Sequence, residues 1–224
     1  NLLIKSGAID DQAGQQGLMS MTAALLDQGT AKRTAPQLAE DLAQIGADFS
    51  QATGYDAVNL GASGLSQYKS EVLDLFAEIV MTPGFNDKEL ERLRSVALAV
   101  IQKSKDQPSM VADQHLDQQV FGAHPYAFPT IGDAKAVKAL KRDDVVRQYK
   151  TYFRPNNAIL SVVGQYDEGF KERVRKAFEK WQPAEVKPTT RKAAQNGVRE
   201  ILLVHKPGLQ QTQFGNNSLA KQLI

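Results

Sequence analysis

Residues able to do acid–base, nucleophilic or metal chemistry are sparse in this chain, so their spacing is as informative as their type. Histidine occurs three times, at His115, His124 and His205. No two lie three or four positions apart, so no helix face carries a histidine pair that could grip a metal ion. Cysteine is absent, which removes disulfides, thiolate metal sites and thiol nucleophiles. His115 stands near Asp113 and Asp117, where a solvated helix face is preferred over a metal site. His124-Pro125-Tyr126 reads as a turn whose imidazole bonds to backbone rather than as a catalytic histidine. The adjacent carboxylates Asp10-Asp11 and Asp143-Asp144 fall at turns or element starts, where capping and the helix dipole account for them. Ser20 has no His or Lys at a spacing that makes a base. Gly61-Ala62-Ser63-Gly64 lacks the Gly-Lys-Ser/Thr of a phosphate loop and fits a strand end. Arg154 reads as an ion-pair or helix-end contact, and Lys103 and Lys105 as solvated charges near a helix end.

The composition narrows the class. The chain has 224 residues, 42% hydrophobic and 23% charged, enough for one large domain or two small ones with a real core. The 27 basic and 25 acidic residues leave a formal net charge of +2 and are spread along the chain, which argues against a nucleic-acid surface. No stretch approaches the roughly 18 to 20 apolar residues of a membrane span. The first residues, Asn1-Leu2-Leu3-Ile4-Lys5, read as the middle of a strand without an initiator Met, so residues upstream are expected. The lack of cysteine does not fix a compartment. A bacterial periplasm or cell envelope is preferred, with a mitochondrion as the alternative.

The elements that must position these residues follow from periodicity and punctuation. Leu2 to Ser6 reads as a strand, and Gly17 to Leu26 as a buried helix stopped by Gly29. Thr34-Ala35-Pro36 starts a helix that carries Leu38, Leu42 and Ile45. Two strands joined around Thr53-Gly54-Tyr55-Asp56 follow. Ser66 to Met81 is amphipathic, with Val72, Leu75, Phe76, Ile79 and Val80 on one face. Asn86 or Asp87 caps a long helix whose apolar stripe is Leu90, Leu93, Val96, Ala97, Val100 and Ile101. Helices are expected over 110–120, 133–140, 142–152 and 170–181, and strands over 158–163 and 198–205. The helix over 170–181 is expected to turn Phe170, Val174, Ala177, Phe178 and Trp181 inward. This order is not a regular βαβ alternation, so the expected class is α+β: a largely antiparallel sheet covered by helices. The expected division is a domain over 1–182, a polar linker over 183–197, and a last strand and leading segment over 198–224.

Three blocks of sequence carry a resemblance. The first is Ser6-Gly7-Ala8-Ile9-Asp10-Asp11, then Gly17-Leu18 and Leu25-Leu26-Asp27-Gln28-Gly29-Thr30. The second is Phe121-Gly122-Ala123-His124-Pro125-Tyr126, then Pro129 and Gly132. The third is Asp143-Asp144-Val145 through Tyr149, Tyr152-Phe153-Arg154-Pro155-Asn156-Asn157, Val162-Val163-Gly164, and later Phe178 and Trp181. In this order they resemble the pitrilysin/insulinase family of zinc peptidases (family M16) over nearly the whole chain. The resemblance implies the N-terminal one of two similar α+β halves. The C-terminal half is then absent from this sequence, and Ile201 to Gly208 with Gln211-Thr212 would lead into it.

Active members of that family carry His-x-x-Glu-His on their first long helix, with a further Glu from a later helix. Two His one turn apart bind Zn²⁺, and the Glu between them polarises its water. Anchored on Gly17 and Gly29-Thr30, the resemblance places these positions at Ser20, Ala23, Ala24 and Val100. None is a zinc ligand or a carboxylate base, and all four are expected simply to pack. No catalytic residue and no metal or other cofactor is therefore assigned to this chain. Zinc is expected in a homologous, zinc-bearing partner of a heterodimer, the two enclosing a chamber for an extended peptide. That peptide would add to a sheet edge, expected around Asp56 to Gly61. The alternatives are an active zinc endopeptidase subunit and a structural core-type subunit of a membrane complex.

Overall fold

Alternation in two short strands decides which face of the sheet is buried. The computed structural model of the chain describes residues 1–187. Within them β1 (Leu2–Ile4), β2 (Asp48–Thr53), β3 (Val58–Ser63) and β4 (Ala158–Leu160) form one antiparallel sheet in the order β2-β3-β1-β4. Leu2 pairs with Leu60 and Ile4 with Val58, and all four side chains are buried. Leu3 pairs with Asn59 and points to the other face, as period-two geometry requires. Burying each of these large aliphatic side chains contributes about 1.5–3 kcal/mol, which fixes the register against a one-residue slip.

Eight α-helices lie among the described residues, and most of them cover that apolar face: α1 (Leu18–Ala24), α2 (Ala35–Gln44), α3 (Lys69–Met81), α4 (Asp87–Ser104), α5 (Pro108–Phe121), α6 (Ala134–Ala139), α7 (Arg142–Tyr152) and α8 (Glu168–Ala177). Their starts are written locally. Thr34 caps α2 in a reciprocal arrangement in which the Thr34 backbone N–H donates to Gln37 Oε1 at 3.0 Å. Asn86 Oδ1 accepts the Lys88 N–H at 2.9 Å at the start of α4. Asp133 Oδ1 accepts the N–H groups of Lys135 and Ala136 at the start of α6. Each such cap satisfies backbone donors that the helix cannot.

One core joins Leu2, Ile4, Val58 and Leu60 to Leu18, Met19 and Leu26 around α1, Ile79 and Val80 of α3, and Val145 and Phe153 at α7. The α+β class with an antiparallel sheet and a helical cover is therefore observed. Several elements differ from expectation at their ends: β1 stops at Ile4 rather than Ser6, and α3 starts at Lys69 after a 3-10 turn over Ser66–Tyr68. α1 stops at Ala24, β4 covers Ala158–Leu160 and not 158–163, and α8 ends at Ala177, short of Trp181. α8 starts earlier because Asp167 Oδ1 accepts the Phe170 N–H at 2.8 Å and acts as the cap. Trp181 instead donates its Nε1–H to Phe153 O at 3.1 Å, tying the end of that segment to α7. The expected strand 198–205, the closing segment and most of the polar linker lie outside the described residues. Among the described residues no helix is long and apolar enough to cross a membrane.

Candidate functional site

The site to be tested is α1 and whatever faces it. α1 begins at a constriction between two backbones. Gly17 has φ +92°, and a Cβ there would meet Ile131 O at 2.3 Å; a Cβ on Gly132, at φ +85°, would meet Gln16 O at 2.1 Å. Only glycine at both positions lets the start of α1 lie against the loop before α6. Asp11 then locks the helix start. Its Oδ2 accepts the Gly17 N–H at 2.8 Å and its Oδ1 the Met19 N–H at 2.9 Å. Burial pushes the Asp11 carboxyl up to about 7, against those backbone donors and with a further push from the Asp10 charge. Asp10 accepts the Gly7 N–H at 3.0 Å, and Asp144 accepts the Lys141 N–H at 2.9 Å at the start of α7. Both are the capping and turn roles expected of them.

With α1 fixed in this way, Ser20 and Ala24 are half-buried and Ala23 is fully buried in the core. Ser20 Oγ donates to Thr130 O at 2.6 Å, so its hydroxyl is committed to the neighbouring loop. α1 packs on α4, α7 and β2. On α4, Ala97 and Ile101 turn inward, but Val96 is 51% and Val100 49% exposed. The expectation that Val100 simply packs is corrected: the stripe read as Leu90, Leu93, Val96, Ala97, Val100 and Ile101 is wider than the face α4 buries. In a helix of 18 residues, the 3.6-residue period turns positions 96 and 100 past the edge of the contact.

A second correction concerns the sheet. β3, which spans most of the segment 56–61, is an interior strand between β2 and β1. It has no free edge to offer a peptide. The edge strands among those described are β2 and β4. β2 reads Asp-Phe-Ser-Gln-Ala-Thr and is largely exposed. Its polar content was the sequence signal for an edge.

Zinc does not fit the side chains at the four positions. They supply one hydroxyl, already donated to Thr130 O, and three hydrocarbon side chains. Among the described residues no three His, Asp or Glu side chains gather to hold a metal ion. His115 is exposed on α5. His124 Nδ1 accepts the Tyr126 N–H at 3.2 Å, the turn role expected of it, and His205 lies outside the described residues. Arg154 Nε donates to Lys150 O at 2.7 Å at the end of α7. Ser63 ends β3.

The structure also brings together a cluster that spacing did not reveal. Tyr55, from the β2–β3 turn, lies 4.8 Å (ring centroids) from Tyr126, which is edge-on to Phe121 and His124. Tyr126 Oη donates to Asp56 Oδ1 at 2.7 Å. Burial, helped by the Asp56 contact, pushes the Tyr126 phenol up to about 12. Its two halves, Tyr55-Asp56 and the segment Phe121 to Tyr126, are far apart in sequence (70 positions between Asp56 and Tyr126), and no local pattern joins them. The cluster fastens the hairpin turn to the loop after α5.

Comparison with known proteins bears on the fold and the family. The model of the insulinase family (peptidase family M16) matches residues 1–134, and the model described as the peptidase M16 inactive domain matches residues 139–215. An uncharacterized zinc protease of Rickettsia bellii is 27% identical over 167 residues, which is 75% of this chain and 40% of that protein. A protein of Helicobacter pylori named a non-peptidase homolog, YmxG, is 23% identical over 164 residues, 73% of this chain and 38% of its own length. The crystal structure of a peptidase M16 inactive domain from Pseudomonas fluorescens superposes with a TM-score of 0.80 at 23% identity, covering 86% of this chain and 47% of that one. The chain thus spans about 40% of the length of these curated relatives. It belongs to the insulinase family of peptidases, peptidase family M16.

Proposed function

We propose that this chain is a non-catalytic member of its family that pairs with a zinc-bearing homologue, the two enclosing a chamber in which an extended peptide is held and cut. What carries this reading is the chemistry of Ser20, Ala23, Ala24 and Val100, the residues onto which the resemblance carries the family's metal ligands and base. A catalytic zinc needs three protein ligands and an open position, and these side chains supply neither ligand nor base. The Ser20 hydrogen bond to Thr130 O supports it, because that hydroxyl has a structural use. A relative named a non-peptidase homolog is in keeping with it.

In this reading the chain contributes wall and backbone contacts rather than chemistry. The peptide-holding edge is β2, which replaces the segment 56–61. β2 has no strand on its outer side among those described and packs against α1. Unpaired N–H and C=O groups along such an edge bind an extended peptide in register, and the side chains beside it select.

The test is to purify the 224-residue chain together with the rest of its protein and to measure bound zinc. Cleavage of a quenched-fluorescence peptide is then measured alone and with the zinc-bearing homologue. The expected result is no stoichiometric zinc, no cleavage alone, and faster cleavage on mixing than the homologue shows by itself. Stoichiometric zinc with chelator-sensitive cleavage by this protein alone would overturn the reading.

A further inference from the structure

The Tyr55–Tyr126 contact holds two phenols as a fixed, close pair. Tyr55 sits on the turn between β2 and β3. The backbone of that turn is tied to the segment after β1, where the Ala8 N–H donates to Gly54 O at 3.0 Å and the Ile9 N–H to Tyr55 O at 2.9 Å. The Tyr55 Oη donates to Phe128 O at 3.1 Å. Tyr126 is held at its backbone N–H by His124 Nδ1, at its ring by the edge contacts with Phe121 and His124, and at its Oη by Asp56. The two ring centroids are 4.8 Å apart with an interplanar angle of 47°. That is not far beyond the separation of two aromatic rings joined by a single carbon–carbon bond. Aromatic packing of this kind is ordinary in itself, but here both partners are phenols, and both are half-buried rather than sealed in the core.

A phenol gives up an electron readily when its proton can leave in the same step, because the radical cation left otherwise is a strong acid of high energy. Asp56 provides that exit for Tyr126. Its Oδ1 accepts the Tyr126 O–H at 2.7 Å, a distance suited to direct proton transfer, and the exposed Asp56 can hand the proton on to water. Two other tyrosines show what is missing elsewhere. Tyr149 stacks on Phe153 and donates to Val80 O, and Tyr166 lies against Phe170. A backbone carbonyl takes up no proton, and a phenyl ring has no phenoxyl radical with which to couple.

We propose that Tyr55 and Tyr126 form a site of oxidative cross-linking, at which a one-electron oxidant (a high-valent metal complex or an inorganic radical) joins the β2–β3 turn covalently to the loop after α5. One equivalent of oxidant takes an electron from Tyr126 while its O–H proton passes to Asp56 Oδ1 and on to water, leaving a neutral phenoxyl radical. A second equivalent takes an electron from Tyr55, whose phenolic proton goes to water. The two radicals form one carbon–carbon bond between ring carbons ortho to the oxygens. The hydrogen on each of those carbons then moves to the oxygen of its own ring, which restores both phenols. The chain loses two hydrogen atoms in all, as two protons and two electrons, and each equivalent of oxidant is reduced by one electron. Rings already in contact couple at a high effective concentration compared with encounters between molecules. None of Ser20, Ala23, Ala24 and Val100 takes part, so the inference is independent of the zinc reading.

The experiment is brief photo-oxidation, with tris-bipyridyl ruthenium and persulfate, of the 224-residue chain together with the rest of its protein, diluted to keep molecules apart. Dityrosine fluorescence, intact mass and sequencing of the linked peptides by mass spectrometry are the readouts. The expected result is a link between Tyr55 and Tyr126 within one molecule, formed ahead of any other tyrosine pair, with the mass lower by two hydrogens. Tyr55→Phe and Tyr126→Phe are each expected to abolish it. Asp56→Asn keeps an acceptor for the Tyr126 O–H but takes up no proton, and is expected to slow the link at least about tenfold, whereas Tyr166→Phe leaves its rate unchanged. Unfolding curves confirm that each variant is folded. The linked protein is expected to unfold at a higher urea concentration than the unlinked, because the bond closes a long loop in the unfolded chain. Dityrosine formed only between molecules or between other tyrosines, oxidation of Tyr126 without a link, or an unchanged rate in Asp56→Asn would overturn the inference.

Discussion

Replacing Asp11 with asparagine tests how α1 is anchored, and the result depends on which of two opposed effects wins. Asp11 holds the Gly17 and Met19 N–H groups, one on each oxygen, at 2.8 and 2.9 Å. Asparagine keeps one acceptor and turns an NH2 toward the other donor. One buried N–H loses its partner, at a cost of about 1–3 kcal/mol. The pH dependence is the sharper readout. With the folded carboxyl at about 7 against an ordinary 3.8, the native state keeps a proton that the unfolded chain has already released. Stability from this group is therefore complete below pH 3.8 and is lost as pH rises through about 7. At ~1.4 kcal/mol per pH unit the loss reaches about 4 kcal/mol. Urea unfolding of the chain and of Asp11→Asn, followed by circular dichroism from pH 4 to 8, isolates the contribution. The expected difference curve has Asp11→Asn less stable at the acid end and gains on the parent as pH rises. A difference curve of opposite slope would refute the reasoning. It would show that two backbone donors at a helix start hold the carboxylate charged more strongly than burial opposes it.

Other substitutions test the remaining contacts. Gly132→Ala is expected to cost at least about 3 kcal/mol, because its Cβ would sit 2.1 Å from Gln16 O as well as at φ +85°. Gly122→Ala, at φ +56° with nothing within 4 Å, is expected to cost only the ~1–2 kcal/mol of the left-handed conformation, and chemical denaturation separates the two. Val100→Glu is expected to change stability by less than about 0.5 kcal/mol, since the position is 49% exposed. Ala23→Glu, at a fully buried position, is expected to cost more than about 3 kcal/mol, and equal costs would refute the correction made for α4. Tyr126→Phe removes the donor to Asp56 and is expected to cost about 1 kcal/mol. The same change should remove a tyrosine titration near pH 12 from the ultraviolet spectrum.

The sequence by itself determined most of the local structure, because the signals are local. Thr34 and Gln37 announce the start of α2, Asn86 that of α4, and Asp144 that of α7. Leu2, Ile4, Val58 and Leu60 alternate with side chains that face the other way. The three blocks of sequence carried the family, and the proposed replacement of the metal motif at Ser20, Ala23, Ala24 and Val100 rests on the same blocks, since it needs only a helix and an anchor at Gly17. The polar content of β2 hints at an edge, but only the tertiary structure decided which strand is one. A hairpin such as β2–β3 has two outer sides, and which one meets β1 is settled by where the buried faces of Leu2 and Ile4 lie. It also decided how much of α4 is covered: a stripe of apolar residues states what can be buried, and the width of the neighbouring surface states what is. The Gly17–Gly132 approach and the Tyr55–Tyr126 contact join residues far apart in the chain. No periodicity in one dimension can specify such pairs, because their geometry is set by the packing of whole elements against one core.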